Sequence, residues 1–461
     1  MSNDNRFELQ EPGAIAALDA AVARLDEGLS LPASTRPEID DAARDALFAA
    51  AERLHDNYPY AHPLYAGQML KPPHPVARLA YQLAQYVNPN NHALDGGRAS
   101  SAMEKEAVSQ IATMFGLEAH LGHLTSGGTV ANLEALWVAR EETGGRRVVA
   151  SVESHYTHSR LSAVLGVPFT ACPTDHTGRM SLNALEALLD STEDVGTVVA
   201  TAGTTSAGSV DRVDAIVALC RPRGIRVHVD AAYGGYFSLA STLGDDARRA
   251  YDAIAQADSV AIDPHKHGLQ PYGCGCILFP DPAVGRHYQH DSPYTYFSSD
   301  ELHLGEISLE CSRAGAAAVA LWTTQRLLPL ESGGTFAGML EQCIAAARNL
   351  AARVEADEGF TLLQAPELDI VVWGVNANSF SESSRLAQAI FEEAAQRDLH
   401  LALIDVAPER LPSGLSAMTA DQDTLTCLRS CLMKAEHRDW IDDITARLTA
   451  SRDAAVARDA A

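Results

Sequence analysis

What most constrains the fold of this chain is an alternation that begins after residue 102, in which helical patterns are separated by short apolar runs. The runs are RRVVASV, VGTVVATAG, RVHVDAAYGG and DSVAIDPHKHG, each apolar enough to be a buried strand. Strands separated by helices predict an α/β fold with a mostly parallel sheet sandwiched by helices. In open sheets of this kind ligands bind beyond the carboxyl ends of the strands, so the polar residues ending those runs are where chemistry is sought.

The chain has 461 residues, more than one small core organises, and two or three domains are expected. The first sixty residues read as two peripheral helices, AIAALDAAVARLDEGL and IDDAARDALFAAAERLHD. A Pro-, Tyr- and Gly-rich stretch over 58–75 reads as an ordered connection, with an aromatic density that suits packing on another subunit. A helix over 102–116 places Met103, Val108, Ile111 and Met114 near one stripe. After Arg313 come an Ala-rich helix, a strand-like run LDIVVWGV and helical patterns in SRLAQAIFEEAAQR and LTCLRSCLMKAEHRDWIDDITARL. The expected division is an N-terminal helical segment over 1–64, a large domain over 65–335 and a small C-terminal α/β domain over 336–461.

Sixty acidic against 35 basic residues give a formal net charge of −25, which disfavours nucleic acid and anionic lipid as partners. No stretch approaches the roughly 18 apolar residues of a spanning helix, and the opening MSNDNRFELQEPG lacks the order of a signal peptide, so a soluble cytoplasmic protein is expected. The eight cysteines show no C-x-x-C spacing, against zinc ribbons and disulfide scaffolds. Cys427 and Cys431, four apart in a helical pattern, are expected to share a helix face as buried thiols.

Three segments carry candidate chemistry. In TSGGTVANLEALWVAR, Ser126, Gly127, Gly128 and Thr129 precede an amphipathic helix; free N–H groups there make an anion site, although a plain N-cap by Ser126 or Thr129 explains the pattern as well. In HVDAAYGGYF, Asp230 ends a strand and is followed by small residues, Ala232 among them, that let something flat approach. Its carboxylate either holds a heterocyclic nitrogen protonated or caps the next element. In SVAIDPHKHG, Lys266 directly follows a buried strand, flanked by His265 and His267, and a desolvated amine is what Schiff-base chemistry requires. Neither this histidine pair nor His155 with His158 has a second cluster at ligand spacing, so no metal is expected.

A phosphate cradle, then a strand-end Asp, then a strand-end Lys is a division of labour suited to pyridoxal phosphate. The chain resembles the fold-type I pyridoxal-phosphate enzymes and, within them, the group II amino-acid decarboxylases, from about residue 65 to about 330. The resemblance implies that Lys266 carries the cofactor, Asp230 partners its ring nitrogen, and His155 of HYTHSRLSAVLG stacks on the ring and helps orient the substrate carboxylate. It makes Ser126, Gly127, Gly128 and Thr129 the phosphate turn, with Thr204, Ala232 and His265 as further cofactor contacts. YTYFSSDELHLGEISLECSRAG resembles the family's active-site loop, which makes Tyr294 or Tyr296 the proton donor and Arg313 a substrate-carboxylate contact. Asp263, where animal aromatic decarboxylases have Asn, is more similar to archaeal tyrosine/aspartate decarboxylases and sphingosine-phosphate lyases.

What the resemblance implies for function is decarboxylation of an L-amino acid through an external aldimine and a quinonoid. Aromatic substrates such as tyrosine come first and acidic ones such as aspartate or glutamate second, in a homodimer with active sites at the subunit interface. The alternatives are a decarboxylation-dependent aldehyde synthase, a carbon–carbon lyase, an aminotransferase and, last, a non-catalytic scaffold.

Overall fold

The computed structural model describes residues 7–29, 32–92, 96–289 and 308–459. Seven strands form the large sheet: β1 (Leu121–Thr125), β2 (Arg147–Ser151), β3 (Phe169–Cys172), β4 (Val195–Thr201), β5 (Arg226–Asp230), β6 (Ser259–Ile262) and β7 (Gly275–Phe279). Their spatial order is β1-β7-β6-β5-β4-β2-β3. Neighbours from β6 through β3 are parallel, while β7 runs antiparallel to both β6 and β1, so β7 alone is reversed. Strands β4, β6 and β7 are buried along their whole length, as strands covered by helices on both faces must be.

This topology gathers the carboxyl ends of β1, β2, β4, β5 and β6 at one edge, together with the start of β7. Thr201 pairs in register with Asp230, Asp230 with Ala261, and Thr125 with Gly275. The four apolar runs are therefore β2, β4, β5 and β6, and the polar residues at their ends share one rim.

The smaller sheet contains β8 (Phe360–Leu362), β9 (Ile370–Val375), β10 (Ala402–Val406) and β11 (Leu425–Cys431), in the all-antiparallel order β10-β11-β9-β8. One long helix, Thr335–Glu355, belongs to both cores: Phe336, Leu340 and Ile344 pack in the large one, Ala347, Leu350 and Val354 in the small one. The connector joins the small domain, since Leu64 and Ala66 lie in its core and Ala66 exchanges backbone hydrogen bonds with His400 and Cys431 at 2.9 Å.

Two expectations are corrected. The segment around Cys427 and Cys431 is not helical: it is β11, a central strand buried at six of its seven residues, and the helix begins only at His437. Leu425, Leu428 and Leu432 imitate helical spacing, but a strand buried on both faces loses its own alternation and periodicity no longer separates the two. The helix over 102–116 starts earlier, as Arg98–Met114, and Met103 and Met114 are only half-buried, while Glu104 is fully buried on hydrogen bonds to Leu124 N–H and Asn91. The two N-terminal helices form as expected, Ala14–Glu27 and Asp41–Leu54, the second capped by Asp40 and burying none of its residues. Among the described residues no helix is long and apolar enough to cross a membrane.

Candidate active site

At the strand-end rim lies a cavity of about 350 Å³ whose wall includes Ser126, His155, Asp230, Asp263, His265 and Lys266. Asp230 is the last residue of β5, and its carboxylate is divided between two jobs. Oδ1 accepts from the Ala232 N–H at 3.1 Å, the local turn contact that a capping Asp makes. Oδ2 lies 2.8 Å from His158 Nε2 and accepts from Asn132 Nδ2 at 3.3 Å.

Behind that contact runs a buried polar relay. Asn132 Oδ1 is 2.7 Å from His228 Nε2, and His228 Nδ1 is 2.9 Å from Ser259 Oγ. Burial pushes the His228 imidazole down to about 3, with the His158 charge adding to it, so His228 is neutral. With Asn132 donating its amide to Asp230, its oxygen takes the His228 Nε2 proton and Ser259 donates to Nδ1. Burial by itself would raise the Asp230 carboxyl; the hydrogen bond and charge of His158, aided by Lys266, outweigh it and hold the group well below the usual carboxylate range.

Lys266 stands one turn beyond β6, where its N–H closes on Asp263 O at 2.9 Å, and its Nζ is 3.2 Å from Asp263 Oδ2. The other Asp263 oxygen is buried without a partner. The turn at 126–129 descends onto this carboxylate because of glycine. A Cβ at Gly128 would stand 2.7 Å from Asp263 Oδ2, and one at Gly275, across in β7, would stand 2.5 Å from the Gly127 carbonyl carbon. The helix Gly128–Thr143 that follows has no side-chain cap, so neither Ser126 nor Thr129 serves as one, and Gly128 and Thr129 line the cavity. Ser126 N–H already donates to a carboxylate, that of Glu310, at 2.8 Å.

His155 follows β2, and its Nδ1 accepts from Thr157 N–H at 3.3 Å, which leaves the proton of the neutral ring on Nε2. Burial lowers its pKa against the pull of Asp230. His265 donates Nδ1–H to Cys274 O at 2.9 Å and turns its other edge toward Asp263, 3.5 Å away.

Of the residues expected from sequence, Ser126, Gly127, Gly128, Thr129, His155, Asp230, Ala232, His265 and Lys266 all line this cavity. Thr204 does not: it is fully buried with Oγ1 accepting from Ser209 N–H, and Thr201, Gly203 and Thr205 line the wall instead. Arg313 is also absent from the wall, its guanidinium bound to Glu104 at 2.7 Å and to Leu124 O at 2.6 Å. Tyr294 and Tyr296 lie outside the described residues.

Sequence reasoning missed three groups. His158 was weighed only as a metal ligand; its place three residues after His155 in the first turn of a helix is the one hint that both face the same rim. Asn132, an amide inside the apolar pattern of the helix after the glycine turn, is buried where an aliphatic residue is usual. Arg429 went unnoticed because β11 read as helix; its guanidinium donates to Thr205 O, Ser206 O and Gln68 Oε1 at 2.7 to 3.0 Å, beside the cavity wall at Thr205.

This donor set fits pyridoxal phosphate. It offers a primary amine for the aldehyde, a carboxylate kept ionised for the ring nitrogen, and an uncapped helix start in a glycine turn for the phosphate.

Comparison with known proteins agrees. The family described as "Pyridoxal-dependent decarboxylase conserved domain" matches residues 61–376. An L-tyrosine decarboxylase of Enterococcus faecium is 31% identical over 368 residues, covering 59% of this chain and 60% of that enzyme's length, so the match spans less than two thirds of the relative. A probable L-aspartate decarboxylase of Halobacterium salinarum is 34% identical over 260 residues, covering 56% of this chain and 70% of the relative. The crystal structure of mouse CSAD superposes with a TM-score of 0.77 at 21% identity over 96% of this chain and 99% of that one, a likeness of fold. With more than half of its length matched by that family, and with the fold and the site residues in place, the chain belongs to the pyridoxal-dependent decarboxylases.

Proposed function

We propose that the protein decarboxylates an L-amino acid to its amine and carbon dioxide, with aromatic side chains such as tyrosine the first candidates and acidic ones such as aspartate or glutamate the second. The observation that carries this reading is Asp230, kept ionised by His158 in the same cavity as Lys266. The names of the similar enzymes, for tyrosine and for aspartate, support both side-chain classes.

When bound, pyridoxal phosphate supplies the electron sink for the pair left as the α-carboxylate departs. Lys266 Nζ would be the amine that holds the cofactor aldehyde and yields it to the substrate amine. Asp230 would keep the ring nitrogen protonated, with its Oδ2 fixed by His158 and Asn132. His155 would stack on the ring, with its Nε2–H directed to the substrate carboxylate. The turn from Ser126 to Thr129 would hold the phosphate at the uncapped helix start, the Ser126 N–H only once it leaves Glu310, while Ala232 would leave room for a flat ring.

Tyr294 or Tyr296 returns the proton to the substrate carbon. Arg313, committed to Glu104, supports the wall at Leu124, and Arg429, bound to Thr205 O and Ser206 O, braces the wall at Thr205. Thr204 acts through the turn it closes with Ser209.

We also propose a cytoplasmic homodimer. The exposed apolar residues Leu47, Phe48, Leu54 and Tyr58 of the N-terminal region support a subunit contact, and eight unbridged cysteines support a reducing compartment. Purified protein loaded with pyridoxal phosphate is given each common amino acid separately, and gas release is measured with the mass of the organic product. The amine and carbon dioxide from one of them are expected; an aldehyde product, an oxo acid, or no gas from any would overturn the proposal.

A further inference from the structure

A second cavity, of about 520 Å³, lies between the N-terminal segment, the connector and the helix Thr335–Glu355, with His267, the neighbour of Lys266, in its wall. It is in the size range of small-molecule sites. Its walls are largely apolar, from Leu269, Phe336, Met339, Leu340 and Met433, yet two lysines enter it.

Lys434 is 7% exposed; its Nζ donates to Tyr65 O at 2.7 Å and stands 5.4 Å over the Tyr65 ring. Lys71, half-buried, donates to Met433 O at 3.0 Å. Each ammonium has three N–H donors, and each has one such bond. Among the described residues no carboxylate lies within 4 Å of either.

Withdrawing two like charges from water without a counter-ion is costly unless something in the cavity compensates. Burial pushes the Lys434 ammonium down to about 7, with the Lys71 charge adding to it, and burial lowers Lys71 as well. The other charges near the two lysines, including the buried Asp369 that raises Lys71 from behind its contact with His267, do not come within ion-pair distance. Glu11 is paired with Arg78, and Glu8 and Glu436 are exposed at the edge of the cavity. The site therefore has a basic interior, apolar walls and an acidic edge.

We infer that this cavity is a ligand site for a small monocarboxylate with an apolar body, aromatic or aliphatic, whose carboxylate meets Lys71 and Lys434 while its body lies against Phe336, Met339 and Leu340. A strongly hydrated dianion such as phosphate would leave its remaining acceptors against apolar walls, whereas a monocarboxylate satisfies both lysines and fills the rest. The acidic edge also suits a carboxylate that carries an ammonium group, an amino acid. This inference is independent of which substrate the Lys266 cavity takes.

The test is calorimetric titration of the cofactor-loaded protein with 4-bromophenylacetate, repeated on Lys434→Met and Lys71→Met, with the bromine located by anomalous scattering in soaked crystals. Methionine keeps the length and apolar stem of lysine, and unchanged cofactor absorbance reports a folded variant. Expected are binding that weakens at least tenfold in each variant and bromine between Phe336 and Met339. Equal affinity in the wild type and the variants, bromine found only in the Lys266 cavity, or no binding would overturn the inference. So would inorganic phosphate binding as tightly with the same dependence on Lys434. Should a variant fail to fold, the bromine position decides without it.

Discussion

His158 Nε2 stands 2.8 Å from Asp230 Oδ2, and both side chains are buried. Burial alone raises the pKa of a carboxyl in that position, and this contact is the largest of the effects that oppose it. His158→Phe removes the donor and leaves Asp230 with Asn132 and Ala232. A hydrogen bond to a charged group contributes about 1.5 to 3 kcal/mol, so kcat is expected to fall roughly 10- to 100-fold. KM should change little, and His158→Gln, which retains an N–H donor, should recover much of the loss. The sign with pH follows: without His158 the Asp230 pKa rises, so activity lost on acidification is lost at higher pH than in the wild type. Equal pH–rate profiles for wild type and His158→Phe would refute the role.

Lys266→Ala is expected to abolish turnover together with the visible absorbance of the bound cofactor, because among the described residues no other lysine lines the cavity. Borohydride should trap the cofactor on the wild type and leave the variant unlabelled. Full activity in the variant would sink the whole assignment.

His155 should titrate below its ordinary 6.5, since burial lowers it and Thr157 N–H occupies the edge that a second proton would need. Its neutral, Nε2-protonated form then predominates at pH 7, and the acid limb it contributes to kcat lies below 6.5. Its ring resonances, identified by their loss in His155→Asn, report that titration directly. A midpoint at or above 6.5 would contradict the geometry.

The difference between what the sequence disclosed and what it hid follows the chemistry of the residues. Asp230 and Lys266 were legible because a charged residue at the end of an apolar strand is rare without a task, and the four strands were legible because β-branched runs between helices have one economical packing. β11 was hidden because a strand buried on both faces carries no alternation, and Arg429 was hidden with it. His158 and Asn132 were illegible for another reason. They act on Asp230 from 72 and 98 residues away, and only the β2-β4-β5 order with its covering helices brings them within hydrogen-bond reach. Arg313 and Thr204 lie outside the cavity wall for another reason, since a motif position fixes a residue's place in the chain and not the direction of its side chain.

Gly128→Ala tests the cradle rather than the chemistry. The φ of Gly128 is not in the left-handed region, so alanine is compatible with the helix it begins, and any effect arises from what the new methyl meets. That is the Asp263 carboxylate, 2.7 Å from the added Cβ. Asp263 is buried and lies 3.2 Å from Lys266 Nζ, so it must move or the glycine turn must rise, and either displaces the amine from the phosphate turn. Cofactor affinity is expected to fall at least tenfold, about 1.4 kcal/mol, with thermal stability of the cofactor-free protein changed much less. Equilibrium dialysis with pyridoxal phosphate measures the first and calorimetric unfolding the second. Unchanged cofactor affinity would mean that the phosphate is not held at this turn.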